Sequence, residues 1–327
     1  MRVVTPASCT DLCHLSWVGL NMKRRPRRCR LSEQLLQKHI RPFLVCVLER
    51  RLLDAGWRHT CALMDGGKVL CFGSNAKGQC NVPRGLRPVT AVAAGGLHTC
   101  VLQDNGVMVC FGDNSEGQCD VPIHLGPITS VTAGGMHTCV VHADGKVTCF
   151  GDNASGQCDV PAGIGPVISA AAGAKHTCVL LASGSIVGFG DNAQGQCDVP
   201  NVFVSVIAVA AGGWHTCALL ADGTISCFGR SSRGQCDVPP ELGPVKAVAA
   251  GWWHTCVLQA DGEVICFGSN HAGQCNVKPA RKKIVAVGAA DEYTCTMDAD
   301  GEVVHFGSHG GTSQRGGLEF NTHVNST

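Results

Sequence analysis

One tripeptide recurs through most of this chain at a constant interval. His-Thr-Cys returns every 39 residues in six copies, which begin at His59, His98, His137, His176, His215 and His254. A seventh step reaches Tyr293-Thr294-Cys295, and Phe-Gly keeps the same step in seven copies from Phe72 to Phe306. Gly-Gln-Cys follows in six copies, and Thr312-Ser313-Gln314 stands where the seventh is due. A fixed period of this length, with no insertion between His59 and Phe306, predicts a repeat architecture.

Each unit holds short β-prone runs and has no room for a helix. In the sixth copy, Val245–Ala250, His254–Leu258 and Glu263–Gly268 are separated by Gly251 and by Asp261-Gly262. Asp-Gly between two such runs is a hairpin signal, because Gly adopts positive φ at little cost. No unit contains an uninterrupted amphipathic run of about ten residues, and the 42 Gly argue against a helical bundle. The pattern predicts an all-β chain with about three antiparallel strands in each unit.

Seven such units predict a closed ring. A three-stranded sheet cannot bury both faces alone, and stacking in a ring buries them without leaving an open end. An open β-solenoid is the alternative, but it requires distinct caps at both ends, and only the last copy is degraded. We therefore expect a closed seven-bladed β-propeller over residues 47–307, with a lead-in strand at 47–55 and the repeated Phe between blades. Residues 1–46 form a basic N-terminal extension and residues 308–327 a C-terminal tail in this prediction.

The repeat motif resembles that of a known family. Ala-Gly-x-x-His-Thr-Cys, followed by Asp-Gly-x-Val-x-Cys-Phe-Gly-Asp-Asn-x-x-Gly-Gln, resembles the repeat of the regulator of chromosome condensation superfamily. The 39-residue step and the Gly-Gln-x-x-Val-Pro ending are most similar to its short-repeat branch, typified by the bacterial beta-lactamase inhibitory protein II. The resemblance covers residues 47–307 and implies a seven-bladed propeller used for protein binding. The usual Trp-Gly is Phe-Gly here, and the wedge associated with nucleotide exchange in the founding exchange factor has no place in this uninterrupted chain.

Residues that recur in every unit are interpreted as scaffold. Each repeated His is expected to hold the tight Gly-x-x-His turn through a local hydrogen bond. A metal ring is disfavoured, because equivalent positions in neighbouring sheets lie near the ~10 Å sheet spacing. The Gln side chains are expected to bridge neighbouring blades through backbone hydrogen bonds. The recurring Asp residues are expected to cap loops; these are Asp120, Asp159, Asp198 and Asp237.

The 22 Cys require a separate interpretation. Five pairs are ten residues apart across an Asp-Gly-type turn: Cys61/Cys71, Cys100/Cys110, Cys139/Cys149, Cys217/Cys227 and Cys256/Cys266. A three-residue turn would place each pair face to face, near the ~5.5 Å that a disulfide tolerates, so five disulfides are one interpretation. Buried reduced thiols are the favoured one, because the N-terminus lacks an apolar signal core and because Gly188 and His305 stand opposite Cys178 and Cys295.

The copies differ most at the two positions before each His. The nearer position holds Arg58, Leu97, Met136, Lys175, Trp214, Trp253 and Glu292, and the farther one holds Trp57, Gly96, Gly135, Ala174, Gly213, Trp252 and Asp291. Propeller symmetry places these turns around one rim, which carries four of the five Trp. Trp, Met and Arg are favoured at protein interfaces. We interpret the rim as a surface that binds a protein partner through Trp57, Arg58, Leu97, Met136, Lys175, Trp214, Trp252, Trp253, Asp291 and Glu292; the alternative is that the Trp only cover the blade tops.

The N-terminal segment differs in charge from the repeats. Residues 1–51 hold 11 Lys+Arg against three acids, whereas the whole chain has a net charge of only +1. The densest run comprises Lys23, Arg24, Arg25, Arg27, Arg28 and Arg30. A nuclear localisation signal, a nucleic-acid contact, an organelle transit peptide and a solvated tail are all open interpretations. Leu31 to Ile40 has helical spacing, and no apolar stretch approaches the ~18 residues of a membrane span.

Three function classes remain open. A non-catalytic protein-interaction scaffold is favoured, because no nucleophile elbow, phosphate loop or metallohydrolase motif is present and no metal or cofactor is expected. The others are a chromatin-associated or guanine-nucleotide-exchange-like regulator of a small GTPase, and a substrate-recognition propeller related to those of ubiquitin ligases. Ala55-Gly56-Trp57-Arg58-His59-Thr60 also resembles a motif of the plant ultraviolet-B photoreceptor, in one complete copy only. We expect a monomer in the cytoplasm or nucleus.

Overall fold

The computed structural model describes residues 52–201 and 205–308. The expectations for residues 1–46, including the basic run and the helical spacing of residues 31–40, lie outside these ranges. So do the first part of the lead-in strand and nearly all of the C-terminal tail. Of the predicted lead-in strand, the described residues contain a three-residue strand, Leu53–Ala55.

Seven three-stranded antiparallel sheets follow one another along the chain and are called blades 1 to 7. The first strands are β1 Leu53–Ala55, β4 Val89–Ala94, β7 Ile128–Ala133, β10 Val167–Ala172, β13 Val206–Ala211, β16 Val245–Ala250 and β19 Ile284–Ala289. The middle strands are β2 His59–Met64, β5 His98–Gln103, β8 His137–His142, β11 His176–Leu181, β14 His215–Leu220, β17 His254–Gln259 and β20 Tyr293–Asp298. The outer strands are β3 Lys68–Gly73, β6 Met108–Gly112, β9 Val147–Gly151, β12 Ile186–Gly190, β15 Ile225–Gly229, β18 Val264–Gly268 and β21 Val303–Gly307. The predictions of an all-β fold and of three strands per blade are confirmed.

The hairpin between the middle and outer strands has the predicted turn. In blade 2, Gln103 N donates to Val107 O at 2.9 Å, so the turn contains three residues, Asp104–Gly106. Gly106 has a φ of 81°, a region that disfavours other residues. The resulting register places Cys100 directly opposite Cys110. Blade 1 replaces this turn with a 3₁₀ turn, Asp65–Gly67.

The ring closes where blade 7 meets blade 1. Strand β1 contacts β19 and β20, and Leu53 and Ala62 share a buried cluster with Cys295 and Met297. The Tyr293 hydroxyl lies 3.0 Å from Thr60 Oγ1 and donates to His59 O at 2.7 Å. The predicted closed seven-bladed propeller is therefore confirmed.

Apolar side chains fill the spaces between neighbouring blades. Between blades 2 and 3, Leu102 and Met108 pack against Val140 and Phe150. Phe111, Phe189 and Phe267 belong to the equivalent clusters of other blade pairs. The prediction that the repeated Phe lies between blades is confirmed for these four residues.

Each repeated His joins two blades rather than holding its own turn. His98 Nε2 lies 2.8 Å from Thr138 Oγ1 in the next blade, and that hydroxyl donates its only proton to Gln118 O at 2.9 Å. His98 Nε2 is therefore the donor, and the unprotonated Nδ1 has no hydrogen-bond partner among the described residues. The turn is closed by the backbone instead, since Gly95 N donates to His98 O at 2.9 Å. The predicted local imidazole bond is wrong, and the same His–Thr contact recurs at His59, His137, His176, His215 and His254.

The repeated Gln also acts differently from the prediction. Gln118 Oε1 accepts from Glu116 N at 2.9 Å, and its Nε2 donates to Asp113 Oδ2 at 3.1 Å, so the side-chain amide braces its own loop. The bridge between blades is made by the Gln118 main-chain carbonyl. The predicted loop-capping role of Asp120 is confirmed, because its Oδ1 accepts from Asn114 Nδ2 at 2.8 Å.

Four of the five facing Cys pairs are disulfides, so the favoured interpretation of reduced thiols is wrong for them. The bonds join Cys100–Cys110, Cys139–Cys149, Cys217–Cys227 and Cys256–Cys266. In each pair the Cα atoms are 4.1 Å apart, because the two residues lie directly opposite on adjacent antiparallel strands. Cys61 and Cys71 also lie opposite each other, as free thiols.

Candidate protein-binding face

The variable turns all connect a first strand to a middle strand. In blades 1 to 6 a backbone bond from Gly N to His O closes the turn, as between Gly212 and His215 at 2.9 Å. In blade 7 Ala290 N donates to Tyr293 O at 2.9 Å in the same way. The two residues inside the turn are thus held at the same end of each blade. All seven farther positions line one small cavity on the ring axis, of about 60 Å³. The predicted rim residues therefore lie on a single face of the propeller, which we call the turn face.

Backbone contacts between blades hold the inner ring of this face. Gly135 N donates to Gly173 O at 3.0 Å, Gly213 N donates to Gly251 O at 3.1 Å, and Trp252 N donates to Ala290 O at 2.8 Å. Each bond links one blade to the next. The position of each turn is therefore determined by its neighbour as well as by its own strands.

Three of the predicted Trp residues meet at the mouth of the axial cavity. The ring centroids of Trp57 and Trp252 are 5.2 Å apart at an interplanar angle of 69°, and those of Trp214 and Trp252 are 6.5 Å apart at 78°. Such edge-to-face pairs stabilise aromatic clusters. Trp57 belongs to blade 1 and Trp252 to blade 6, so the contact joins two blades that are not neighbours in the ring. Trp57, Trp214 and Trp252, called the tryptophan cluster, are all half-buried.

Two glycines make room for this cluster. A Cβ atom on Gly96 would lie 2.8 Å from the Trp57 ring, and one on Gly213 would lie 2.9 Å from Trp252 Cγ. The same Cβ atoms would lie 2.4 Å from Gly135 O and 2.8 Å from Trp252 O, so a larger residue at either position would displace backbone as well as a tryptophan ring. The glycines at the farther position are therefore part of the aromatic surface.

Trp253 lies apart from the cluster and pairs with a cation. The guanidinium carbon of Arg230 lies 4.7 Å from the centroid of the Trp253 ring, within the range of a cation–π contact. Arg230 is placed there because its N donates to Trp214 O at 2.9 Å. The sequence interpretation missed Arg230, although comparison of the copies offers a signal, because Gly-Arg-Ser replaces the recurring Gly-Asp-Asn at this point.

Blade 7 contributes an acidic corner. Burial, reinforced by the neighbouring Glu292, raises the pKa of the half-buried Asp291, and Arg58 and His271 oppose that shift. Glu292 Oε1 lies 3.0 Å from His271 Nε2. The remaining predicted residues are spread around the same face: Leu97 and Met136 are half-buried, and Arg58 and Lys175 are exposed.

Metal-ligating groups and membrane-spanning helices are two further features that bear on function. Within residues 52–201 and 205–308, no group of three or more His, Cys, Asp or Glu side chains is arranged to hold a metal ion. Among the same residues, no helix has the length and apolarity needed to cross a bilayer. The residues predicted for localisation or nucleic-acid contact, Lys23, Arg24, Arg25, Arg27, Arg28 and Arg30, lie outside the described ranges.

Comparison with solved structures finds other propellers. The ectodomain of the Physcomitrella patens receptor kinase CR4 is 23% identical with a TM-score of 0.67, over 78% of this chain and 72% of that chain. Human WBSCR16 is 19% identical with a TM-score of 0.66, over 77% and 88%. Prp20p from Saccharomyces cerevisiae, studied for binding to Gsp1p and histones, is 17% identical with a TM-score of 0.58, over 69% and 73%. At these identities the similarity establishes the fold alone.

Comparison with family models is more specific. No curated protein sequence matches the chain. The model of the regulator of chromosome condensation (RCC1) repeat matches six segments, which together make up more than half of the chain: 51–79, 89–118, 128–157, 167–196, 206–235 and 245–274. These are the same units that the 39-residue period defines. The chain therefore belongs to the regulator of chromosome condensation (RCC1) repeat family.

Proposed function

We propose that this protein is a non-catalytic interaction scaffold that binds a partner protein through the turn face. Trp57, Trp214, Trp252 and Trp253 are the anchors in this proposal. Arg58, Leu97, Met136, Lys175, Asp291 and Glu292 surround them as the remaining contacts.

The tryptophan cluster is the observation that carries the proposal. Three large aromatic side chains from blades 1, 5 and 6 contact one another at the centre of one face and remain half-buried. Interface hot spots are enriched in Trp and lie near the centre of the contact area. Because the rings are already packed against each other, little conformational freedom is lost when a partner covers them. The Arg230–Trp253 pair supplies a second, amphipathic anchor beside the cluster.

The test is quantitative partner recovery with variants of this face. The tagged chain is cross-linked in cells, and recovered proteins are compared by mass spectrometry between wild type, Trp252→Ala and Trp253→Ala. We expect at least one specific partner to fall about tenfold or more, since hot-spot truncation costs roughly 2 kcal/mol. Val107→Ala is the matched control, because Val107 is 49% exposed and lies at the hairpin end of its blade, opposite the turn face. Equal recovery with folded tryptophan variants would contradict the proposal.

An exchange regulator of a small GTPase is the second candidate. Its support is the similarity to Prp20p, whose solved structure was studied for Gsp1p and histone binding. The strict 39-residue step between His59 and Phe306 leaves no place for an inserted wedge. We therefore expect no acceleration of labelled GDP release from small GTPases by the purified chain. An acceleration of tenfold or more would favour this candidate over the scaffold. A ubiquitin-pathway partner would instead be recognised among the proteins recovered through the turn face.

The basic run at residues 23–30 is proposed as a localisation signal or a nucleic-acid contact. Its support is charge density, because residues 1–51 hold 11 cations against three acids. Deleting residues 23–30 should shift a fluorescent fusion from nucleus to cytoplasm. If the run contacts DNA, that binding should weaken steeply as salt rises. An unchanged distribution of the fusion between nucleus and cytoplasm, together with DNA binding that does not depend on salt, would contradict both roles.

A further inference from the structure

The crossover segments deliver an apolar anchor into the space between successive blades. After each outer strand the chain crosses to the next blade, and two apolar residues recur there in step with the repeat: a valine, such as Val121 or Val238, and a second apolar residue nearer to the next blade. This second residue, the anchor, is Leu86 between blades 1 and 2, Leu125 between blades 2 and 3, Ile164 between blades 3 and 4, and Leu242 between blades 5 and 6. The equivalent residue of the fourth crossover lies outside the described residues. Each described anchor packs on a cluster that the two blades share.

The sixth crossover lacks this anchor. The equivalent of Leu242 is Arg281, which is exposed, and the equivalent of Val257 is Thr296. Two apolar groups that pack together between blades 5 and 6 are thus replaced by polar ones between blades 6 and 7. None of the six hydrophobic clusters found in the described part of the chain joins blades 6 and 7.

A groove remains where the anchor is missing. It has a volume of about 1290 Å³ and lies between strand β18, the crossover and the outer half of blade 7. Its apolar lining includes Val264, Ile284, Val304 and Phe306, together with Val277, the valine that this crossover shares with the others. Ligand pockets typically enclose about 300–1,000 Å³, so the groove is large enough for several side chains.

One wall of the groove is strongly basic. Lys278, Arg281, Lys282 and Lys283 fall within six residues, and all are exposed. Lys282 pairs with Asp298 and Asp300, whereas no ion pair is found for the other three cations within the described ranges. The groove also has four acidic lining residues, Asp261, Glu263, Asp298 and Glu302. Asp298 and Glu302 act on Lys282, and the Lys283 side chain lies beside Gly262 in the hairpin turn. A carboxylate beside the missing anchor would therefore be favoured by the charge of the other two cations, Lys278 and Arg281.

We propose that the groove between blades 6 and 7 binds a short peptide segment of a partner protein that combines an aliphatic or aromatic side chain with adjacent carboxylates. The apolar side chain takes the place that Leu242 holds between blades 5 and 6. The carboxylates pair with the basic wall. A peptide is favoured as occupant because the same space in the other described blade pairs is occupied by an apolar side chain of the crossover polypeptide. This site is independent of the turn face.

The test uses a labelled synthetic peptide and the full chain. The peptide carries a central Leu flanked by Asp and Glu, and binding is followed by fluorescence anisotropy. Replacing its Leu by Ser, or its acids by Lys, should each weaken binding at least tenfold. No saturable binding by the wild-type chain, or equal binding of the three peptides, would overturn the proposal.

A variant that fills the groove supplies a second measurement. Arg281→Leu restores the anchor found in the other crossovers, so it should weaken peptide binding at least tenfold and raise Tm by about 2–4 °C. Arg84→Leu is the matched control, because Arg84 is an exposed cation in the first crossover, where Leu86 already fills the space. Wild-type peptide affinity in Arg281→Leu would overturn the proposal.

The chain's own residues 309–327 are the other candidate occupant. A Phe320→Ala chain that binds the peptide at least tenfold more tightly would assign the groove to that segment and overturn a partner peptide.

Discussion

At the scale of single residues, the buried imidazoles are the most unusual feature. His98, His137, His176, His215 and His254 are fully buried, and each donates one hydrogen bond across a blade boundary. Burial lowers the pKa of His98, His176 and His215 to about 3 and that of His137 and His254 to about 4. Neighbouring imidazoles lower the pKa further for His98, His176 and His215. These side chains are neutral in the folded protein at any pH near neutrality.

This pattern predicts acid sensitivity. The unfolded chain binds protons at its histidines below about pH 6.5, whereas the folded chain does not until about pH 4, so unfolding becomes more favourable as pH falls. Each such histidine should lower the free energy of unfolding by about 1.4 kcal/mol per pH unit within that window. His176→Gln should reduce the slope of unfolding free energy against pH, measured with urea between pH 4.5 and 6, by about one proton. Val107→Ala, at an exposed side chain that carries no titratable group, should leave the slope unchanged. An unchanged slope in His176→Gln would contradict the neutral buried state.

At the scale of the elements, two glycines of the same blade are required for different reasons, so replacing them should cost different amounts of stability. Gly106 in the hairpin turn has a φ of 81°, and a Cβ added there meets nothing within 4 Å. Gly112 at the end of the outer strand has a φ of 112°, and a Cβ there would lie 2.7 Å from Leu97 O. Gly106 is required only for its positive φ. Gly112 is required for its positive φ and also because the variable turn that carries Leu97 packs closely against it.

Alanine at these two positions should therefore differ. Gly106→Ala should lower the free energy of unfolding by about 1 kcal/mol, the cost of positive φ for a residue with a Cβ. Gly112→Ala should cost clearly more, because either the strand end or the turn that carries Leu97 has to move. Urea unfolding of both variants measures the difference. An equal loss of unfolding free energy in the two variants would show that the turn carrying Leu97 can move without loss of stability.

The elements also show which features a sequence can predict. The strands and the three-residue hairpin turn follow from the local pattern, because each depends on residues close together in the chain. The position of the repeated Phe follows instead from the stacking of neighbouring blades. The imidazole hydrogen bond was predicted within its own turn, whereas it joins His98 to Thr138 of the next blade. A period does not say whether a contact lies within one copy or between two. The Trp57–Trp252 contact depends on side-chain conformations across the ring axis, which spacing cannot reveal. The rim was placed correctly because symmetry alone brings equivalent turns to one face.

At the scale of the whole molecule, closure uses a different chemistry from the other joints. Tyr293 stands where the other blades have His, and its hydroxyl contacts Thr60 Oγ1 at 3.0 Å. His305 stands where most other copies have a Cys, and its Nε2 lies 3.1 Å from the same Thr60 Oγ1 atom. The two departures of the seventh copy thus converge on one atom of the first blade. What reads as decay in the repeat is a specific joint between the two ends of the ring.

Tyr293→Phe should therefore weaken the ring at its closure. The variant removes the bond to His59 O and the contact with Thr60 Oγ1, whereas Gly56 N still donates to His59 O and His305 Nε2 still contacts Thr60 Oγ1. The free energy of unfolding should therefore fall by about 1 kcal/mol, the contribution of one buried hydrogen bond. Thr90→Val is the matched control, because it removes a hydroxyl that bonds only to Leu102 O within its own blade. Urea unfolding with a midpoint equal to the control would contradict a role in closure.

The uniform joints have a consequence for ancestry. Because every His faces a Thr of the following copy, any two copies are chemically interchangeable partners, and a recombination that removed or duplicated one whole unit would leave each remaining boundary satisfied. Tyr293 and Thr60 lie in the last and first copies, so their contact does not depend on which units lie between them. The number seven is thus set by curvature and not by recognition between particular blades, which makes loss or gain of a unit a short evolutionary step.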